Sequence, residues 1–269
     1  MSEQPPQGRT LDLTVDLPAT PDEVWRMLTD PKLLPQWFAP FVEGTGKVGE
    51  PLLFGWSPDV RWKTLLTVSE PGKRVVFRDE LAAYQEMGPT SGPMVIEWTM
   101  GPIAGGTRLR LVHSGFGDGA SWDEMYDGTA AGWGFLLWHL GETLRRHRGQ
   151  PRITLFARRP STLSREALGA RLFGPEGFAL KPPRKGEASV QLDRPRTLLV
   201  EHAGLPRNLW GRLPELNDAL LMVEMEPGSG TFHTGIWMST WGLGPAGEKD
   251  LQAALDRLAD RVFGATTPA

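Results

Sequence analysis

The sequence predicts an α+β protein of two domains, each a curved antiparallel sheet wrapped around a long carboxy-terminal helix. Three observations support this prediction. The length of 269 residues suits two domains of ordinary size. In the first half, a series of short runs with alternating apolar and polar residues is followed by one long amphipathic stretch. In the second half, a shorter version of the same order recurs.

The first half opens with a predicted strand and a predicted short helix. Residues 10–17 alternate apolar and polar side chains, which is typical of a half-buried strand. A helix start follows, because Thr20 can cap the first turn and Glu23 can reach back to complete a capping box. A second short helix is predicted over residues 31–37.

Five strands are predicted next, because the hydrophobic period changes to two and turn residues separate the runs. Short connections between sequential strands favour an antiparallel meander. The predicted strands cover residues 48–56, 62–69, 74–80, 94–100 and 107–114.

The first half ends with a long helix, predicted over residues 121–147. Its apolar side chains repeat at helical spacing and form one stripe. They are Trp133, Leu136, Leu137, Leu140 and Leu144. This stripe and the apolar face of the sheet must bury against each other. A bent sheet around a helix leaves a space that side chains need not fill, so we expect a hollow between them.

Six short segments of the first half agree in order and spacing with a known family. They are PATPDEVW at 18–25, DP at 30–31, WF at 37–38, GTRL at 106–109, HSGF at 113–116 and GW at 132–133. Together they resemble the START-like (SRPBCC, helix-grip) superfamily and, within it, the activator of heat-shock protein 90 ATPase homologue 1-like domain. The resemblance spans about residues 10–148 and implies a helix-grip fold. It implies no shared catalytic motif, because this fold serves lipid carriers, cyclases and binding proteins alike.

A shortened copy of the same domain is predicted after the Gly149-Gln150-Pro151 segment, giving domains 1–150 and 151–269. Pro-Ala-Thr at 18–20 recurs as Pro-Ser-Thr at 160–162, and Gly-Thr at 106–107 recurs as Gly-Thr at 230–231. The predicted elements of this half are a strand over 152–157, a helix over 164–173, a strand over 197–201, a hairpin strand over 220–226 with its turn at 227–230, a strand from 231 to 241, and a helix over 247–263. We interpret this half as a degenerate repeat, with an unrelated small α+β domain as the alternative.

Composition excludes several classes of function. The net charge of −3 provides no basic face for nucleic acid. Because there is no cysteine, disulfides and thiolate metal sites are excluded. The five histidines lack metal spacing with a carboxylate, so neither a metal nor another cofactor is expected. A chain without a signal-peptide pattern or an apolar run of about 18 residues is expected to be cytoplasmic and without a membrane span.

The tryptophans point to a ligand cavity in the first domain. Eight of the eleven precede residue 150, and so many indoles are difficult to bury completely in a filled core. We therefore predict that an apolar or amphipathic small molecule is held between sheet and helix. Strand alternation and the helix stripe supply the predicted ligand-binding residues, which are Trp37, Trp62, Trp98, Met100, Leu111, His113, Trp133 and Leu137.

His113 is the polar member of this set, because it ends an otherwise apolar inward row on its strand. It could bond a ligand head group or act as a general base, and the plainer interpretation is a histidine satisfied by backbone. No catalytic residue is assigned. Two alternatives to simple binding stay open. One is a cyclase- or hydrolase-like enzyme using His113 with an unidentified acid. The other is a co-chaperone-like protein-interaction module, with a protein partner or a homodimer.

Overall fold

A computed structural model describes residues 8–57, 60–79, 93–161, 163–175, 177–178, 186–204, 207–225 and 234–264. The chain divides into two compact units, Met1–Arg148 and Gly149–Ala269. We call these the amino-terminal and the carboxy-terminal domain.

The amino-terminal domain contains a seven-stranded antiparallel sheet. Its strands are β1 (Arg9–Leu17), β2 (Phe41–Gly44), β3 (Pro51–Ser57), β4 (Val60–Glu70), β5 (Arg74–Asp79), β6 (Val95–Ile103) and β7 (Gly106–Phe116). Its described helices are α1 (Pro21–Thr29) and α2 (Ala120–Arg146), and a 3₁₀ turn lies at Leu34–Gln36. The strand order is β1-β7-β6-β5-β4-β3-β2. Strands β2 to β7 therefore form a meander of sequential neighbours, and β1 pairs with β7 to form the edge of the sheet opposite β2.

The helix α2 shares one hydrophobic core with the sheet. Leu137, Leu140 and Leu144 of its apolar stripe belong to the same buried cluster as Leu109 and Leu111 of β7. The remaining side chains of β7 alternate, with its arginines exposed on the opposite face. The predicted fold class, a curved antiparallel sheet gripping a long carboxy-terminal helix, is confirmed.

The capping box predicted at the start of α1 is also confirmed. The Thr20 hydroxyl accepts the Glu23 backbone N–H at 3.3 Å, and the Glu23 carboxylate accepts the Thr20 N–H at 3.1 Å. Arg148, two residues beyond α2, donates to Glu23 at 2.8 Å and to the Pro18 carbonyl at 2.6 Å. These bonds join the end of α2 to the first turn of α1 and to the segment before it, which fixes the end of the helix.

Several elements in this domain differ from the sequence prediction, and the helix predicted over residues 31–37 is a 3₁₀ turn at Leu34–Gln36. Strand β2 was not predicted, because four residues of sequence are too few to show an alternation. Strand β3 begins at Pro51 rather than at residue 48. The preceding residues form a turn in which the Glu50 N–H bonds to the Lys47 carbonyl at 3.1 Å and Gly49 has a φ of 84°, a conformation that favours glycine.

The carboxy-terminal domain contains a six-stranded antiparallel sheet. Its strands are β8 (Arg152–Arg158), β9 (Gly186–Gln191), β10 (Pro195–Gly204), β11 (Asn208–Leu213), β12 (Ala219–Glu224) and β13 (Gly235–Trp241), and its helices are α3 (Arg165–Phe173) and α4 (Pro245–Phe263). The strand order is β8-β13-β12-β11-β10-β9. This is the order of the amino-terminal sheet without β2.

Two strands of this domain were not predicted from the sequence. Five of the six residues of β11 are buried, so their side chains show no alternation of apolar and polar character. Strand β9 contains small and charged residues that resemble a loop. The predicted hairpin turn at 227–230 and the predicted strand start at 231 lie outside the described residues. Within the described part of the chain, no helix is long and apolar enough to cross a membrane.

Candidate functional site

A cavity of about 160 Å³ lies in the amino-terminal domain, between the sheet and α2. Aromatic side chains form half of its lining. They are Trp37, Phe38, Phe54, Trp56, Trp62, Phe77, Trp98 and Trp133. The aliphatic lining residues are Leu28, Leu34, Ile96 and Leu136. Gly132 contributes the backbone of α2 to the lining. Three polar side chains complete the lining, which are Thr64, Asp79 and Thr129.

The register of the sheet places the strand residues of this wall side by side. Phe54 of β3 lies opposite Trp62 of β4, and Phe77 of β5 lies opposite Ile96 of β6. Because side chains of paired residues project to the same face of a sheet, these four point toward α2 together. The wall is therefore a direct consequence of strand alternation.

The aromatic rings of the wall contact one another in a connected network. Phe38 stacks on Trp133 with ring centroids 5.7 Å apart and contacts Phe54 and Trp56 edge-on at 5.0 and 5.1 Å. Trp98 contacts Trp133 edge-on at 5.3 Å. Offset and edge-to-face contacts of this kind stabilise ring pairs beyond their burial. The rings thus pack against one another along the wall and leave the space between them open.

Two of the indoles direct their N–H groups to acceptors of the protein. Trp37 Nε1 donates to the Met27 carbonyl at 2.8 Å. Trp133 Nε1 donates to His113 Nδ1 at 3.0 Å. Both rings are almost fully buried, so these bonds satisfy donors that would otherwise be costly. Each indole is consequently fixed in orientation.

The eight predicted ligand-binding residues divide into two groups. Trp37, Trp62, Trp98 and Trp133 lie on the cavity wall. Met100, Leu111, His113 and Leu137 are buried in the surrounding core and are not among the lining residues. Leu111 lies opposite Trp98 in the register, which places it one strand further from the centre of the wall. These four residues therefore belong to the buried core of the domain and are not part of the cavity wall.

His113 is bound to an indole rather than to backbone. Its Nδ1 accepts the Trp133 N–H, so Nε2 holds the proton of the neutral ring. Nε2 is buried and has no hydrogen-bond partner among the described residues. Burial lowers the pKa of His113 to about 3. The imidazole is therefore neutral near pH 7, and in this position it orients Trp133.

Acidification is expected to destabilise the amino-terminal domain through His113. In the unfolded chain this histidine takes up a proton below about pH 6.5, whereas in the folded domain it stays neutral until about pH 3. The unfolded state thus binds the extra proton, and stability falls as the pH drops through this window. From pH 7 to 5.5 the loss is about 1 kcal/mol from this group. Urea unfolding at both pH values should show this loss of stability in the wild type and not in His113→Gln. Equal losses in the two proteins would contradict the role of His113.

Asp79 is the ionisable residue of the wall, and the sequence prediction did not include it. It ends β5, is 4% exposed and lies opposite Thr64 of β4. Its backbone N–H donates to the Met94 carbonyl at 3.0 Å, which continues the sheet to this point. The signal was present, because Val75, Phe77 and Asp79 alternate along one face of the predicted strand.

Comparison with known proteins finds one family model that matches this domain. Residues 18–145 match the family model described as "Activator of Hsp90 ATPase homolog 1-like protein". A search of curated proteins finds no match. The matched range contains every cavity-lining residue and all of the sheet and α2 except strand β1 and the last residue of the helix.

Solved structures with similarity to this chain include two that cover half of it. A protein from Mesorhizobium loti is 25% identical, with 51% of this chain and 98% of that chain covered and a TM-score of 0.46. The Aha1 dimer from Colwellia psychrerythraea is 18% identical, with 52% and 99% covered and a TM-score of 0.46. The di-domain ARO/CYC protein BexL from the BE-7585A biosynthetic pathway matches over both domains, with 14% identity, 95% and 96% covered and a TM-score of 0.46.

The family match begins at the Pro18 segment and ends within α2, so it includes the segments on which the sequence resemblance was based. It also agrees with the observed fold, a sheet around a long carboxy-terminal helix. The resemblance predicted from the sequence is thereby confirmed. Over residues 18–145 the amino-terminal domain of this chain matches the activator of Hsp90 ATPase homologue 1-like family.

Proposed function

We propose that the amino-terminal domain binds an apolar small molecule in the cavity between its sheet and α2. The observation that supports this most is a space of about 160 Å³ walled by eight aromatic side chains. An apolar cavity of about 150 Å³ engineered into another protein stays dry and binds benzene. A ligand with one aromatic ring is therefore of the size that this cavity accepts as it stands.

The expected affinity for a purely apolar ligand is modest. Burying about 300 Å² of apolar surface contributes about 7 kcal/mol at roughly 25 cal/mol per Å². Lost translational and rotational freedom costs about 4 kcal/mol or more. The difference of about 3 kcal/mol corresponds to a dissociation constant in the millimolar range. A natural ligand would need polar contacts to bind more tightly.

Toluene is a suitable probe, because it is apolar, contains one ring and dissolves to millimolar concentration. We expect saturable binding of one toluene molecule per chain with a millimolar dissociation constant, since the cavity admits a single ring. Ligand-observed NMR titration against the full chain measures this. A signal that rises linearly without saturation would mean non-specific association and would contradict the proposal.

Catalysis by His113 has less support than ligand binding. His113 is not a lining residue, and its one acceptor nitrogen is occupied by Trp133. A general base must come within hydrogen-bond reach of the proton that it removes. Ligand binding by the aromatic wall needs no such group. A protein partner or a homodimer stays a prediction.

We also propose that the carboxy-terminal domain is a degenerate copy of the amino-terminal one. Its strand order repeats that of the first sheet without β2, and each sheet is followed by a helix that ends the domain. The apolar residues of α4, among them Leu251, Leu255 and Leu258, join the inner face of the sheet in one buried cluster. The proposed ligand site belongs to the amino-terminal copy.

A further inference from the structure

The cavity offers almost no polar surface to a ligand. The Thr64 hydroxyl donates to the Arg78 carbonyl at 3.2 Å. The Thr129 hydroxyl donates to Met125 Sδ at 3.6 Å. Asp79 is 4% exposed and interacts with other groups of the protein. The surface that remains for a ligand is almost entirely apolar, so a hydroxyl or a charge buried there would lose its water at a large cost.

The cavity is also too small to enclose a ligand much larger than one ring. Its volume of about 160 Å³ is close to that of an engineered cavity that binds benzene. The aromatic side chains of the wall favour an aromatic ring in this space, because ring pairs attract each other beyond their burial. Any further part of a ligand must therefore extend out of the cavity through an opening.

The opening is marked by the lining residues that are partly exposed, whereas the other lining residues are buried. The partly exposed residues are Phe38, Trp56, Trp62, Thr129, Gly132 and Leu136. Thr129, Gly132 and Leu136 recur at helical spacing on one face of α2. Trp56 and Trp62 lie where β3 ends and β4 begins. These six residues form the mouth of the cavity, between that part of the sheet and the middle of α2.

We propose that the ligand of this cavity is an amphipathic aryl compound, whose single aromatic ring enters the cavity while its polar group stays at the mouth in contact with water. A polar group attached directly to the ring would be buried with it. A polar group on a short alkyl chain reaches the mouth and keeps its water. This inference rests on the proposed binding function and adds the chemical class of the ligand and its orientation.

Toluene, phenol and 3-phenylpropan-1-ol test this orientation, because they share one ring and differ in the position of a hydroxyl group. We expect the full chain to bind phenol about tenfold more weakly than toluene, since the phenol hydroxyl is buried without compensation. We expect 3-phenylpropan-1-ol to bind at least as tightly as toluene, because its hydroxyl stays in water and its chain covers apolar surface at the mouth. Ligand-observed NMR titrations give the three dissociation constants.

A charge placed at the mouth tests the same orientation from the side of the protein. Leu136→Lys should tighten binding of 3-phenylpropanoate relative to 3-phenylpropan-1-ol about threefold at low ionic strength, the effect of an exposed ion pair. Leu136→Gln is the matched control, because it is polar and uncharged. It should leave the ratio of these two affinities as in the wild type.

Three results would overturn the inference and leave the proposed function standing. They are phenol that binds as tightly as toluene, 3-phenylpropan-1-ol that binds as weakly as phenol, and a ratio in Leu136→Lys equal to that in Leu136→Gln. Toluene binding that does not saturate would overturn both the inference and the proposed function. If Leu136→Lys does not fold, the three affinities of the wild type decide.

Discussion

Trp133→Ala is expected to lower the free energy of unfolding of the amino-terminal domain by about 3–5 kcal/mol, the usual loss when a large buried ring is truncated. Trp133 is 6% exposed and contacts both Phe38 and Trp98. Its N–H also satisfies the buried acceptor of His113. Truncation removes the ring contacts and leaves that nitrogen without its donor, and the two costs add.

Trp133→Phe separates the two contributions. Phenylalanine retains much of the contact with Phe38 and loses the N–H, so the expected loss is about 1–3 kcal/mol, the cost of an unsatisfied buried acceptor. Urea unfolding followed by far-UV circular dichroism measures both variants on the same scale. A loss below about 1 kcal/mol for Trp133→Ala, or equal losses for both variants, would be inconsistent with this role of the indole.

Gly132→Leu is expected to abolish toluene binding while leaving the domain at least as stable as the wild type. Gly132 lies within α2 on the cavity wall, and a Cβ added there would meet no other atom within 4 Å. A leucine side chain would therefore enter the open space and occupy the ligand site. Replacing glycine in a helix interior contributes about 1 kcal/mol, and burial of the new side chain adds to it.

Gly169→Ala provides a control in the other domain. This glycine lies in α3, and a Cβ added there also meets no atom within 4 Å. It should raise the stability of the carboxy-terminal domain by about 1 kcal/mol and leave toluene binding unchanged. Toluene titrations and urea unfolding curves of both variants and of the wild type measure these effects. Undiminished binding in Gly132→Leu would show that toluene occupies some other place.

Long periodic segments made most of the fold predictable. The strand pattern of the first half and the apolar stripe of α2 are each strong because many residues repeat the same period. Strands β2, β9 and β11 were missed for physical reasons. The first has four residues, the second has few apolar side chains, and the third is buried on both faces.

The site was predictable in part. Strand alternation predicts which side chains point to the inner face of the sheet, but not which of them reach the cavity. It placed Trp62 and Trp98 on the inner face, where they line the cavity. Leu111 and His113 share that face and are covered. Leu111 lies beside Trp98 on the neighbouring strand, and Trp133 of α2 donates to His113. Which inward residue reaches the wall depends on the curvature of the sheet, which no local pattern encodes. Asp79 follows the alternation of its strand, but an acidic residue is not expected on a buried face, so it was not predicted to line the cavity.

A crystal structure of the full chain with toluene bound tests the hollow between sheet and α2 most directly. We expect density for one ring against Gly132 of α2, within contact of Trp98 and close to Asp79. Toluene found only at the protein surface, or an interior closed by side chains with no space beside Gly132, would contradict a ligand-binding cavity in this domain.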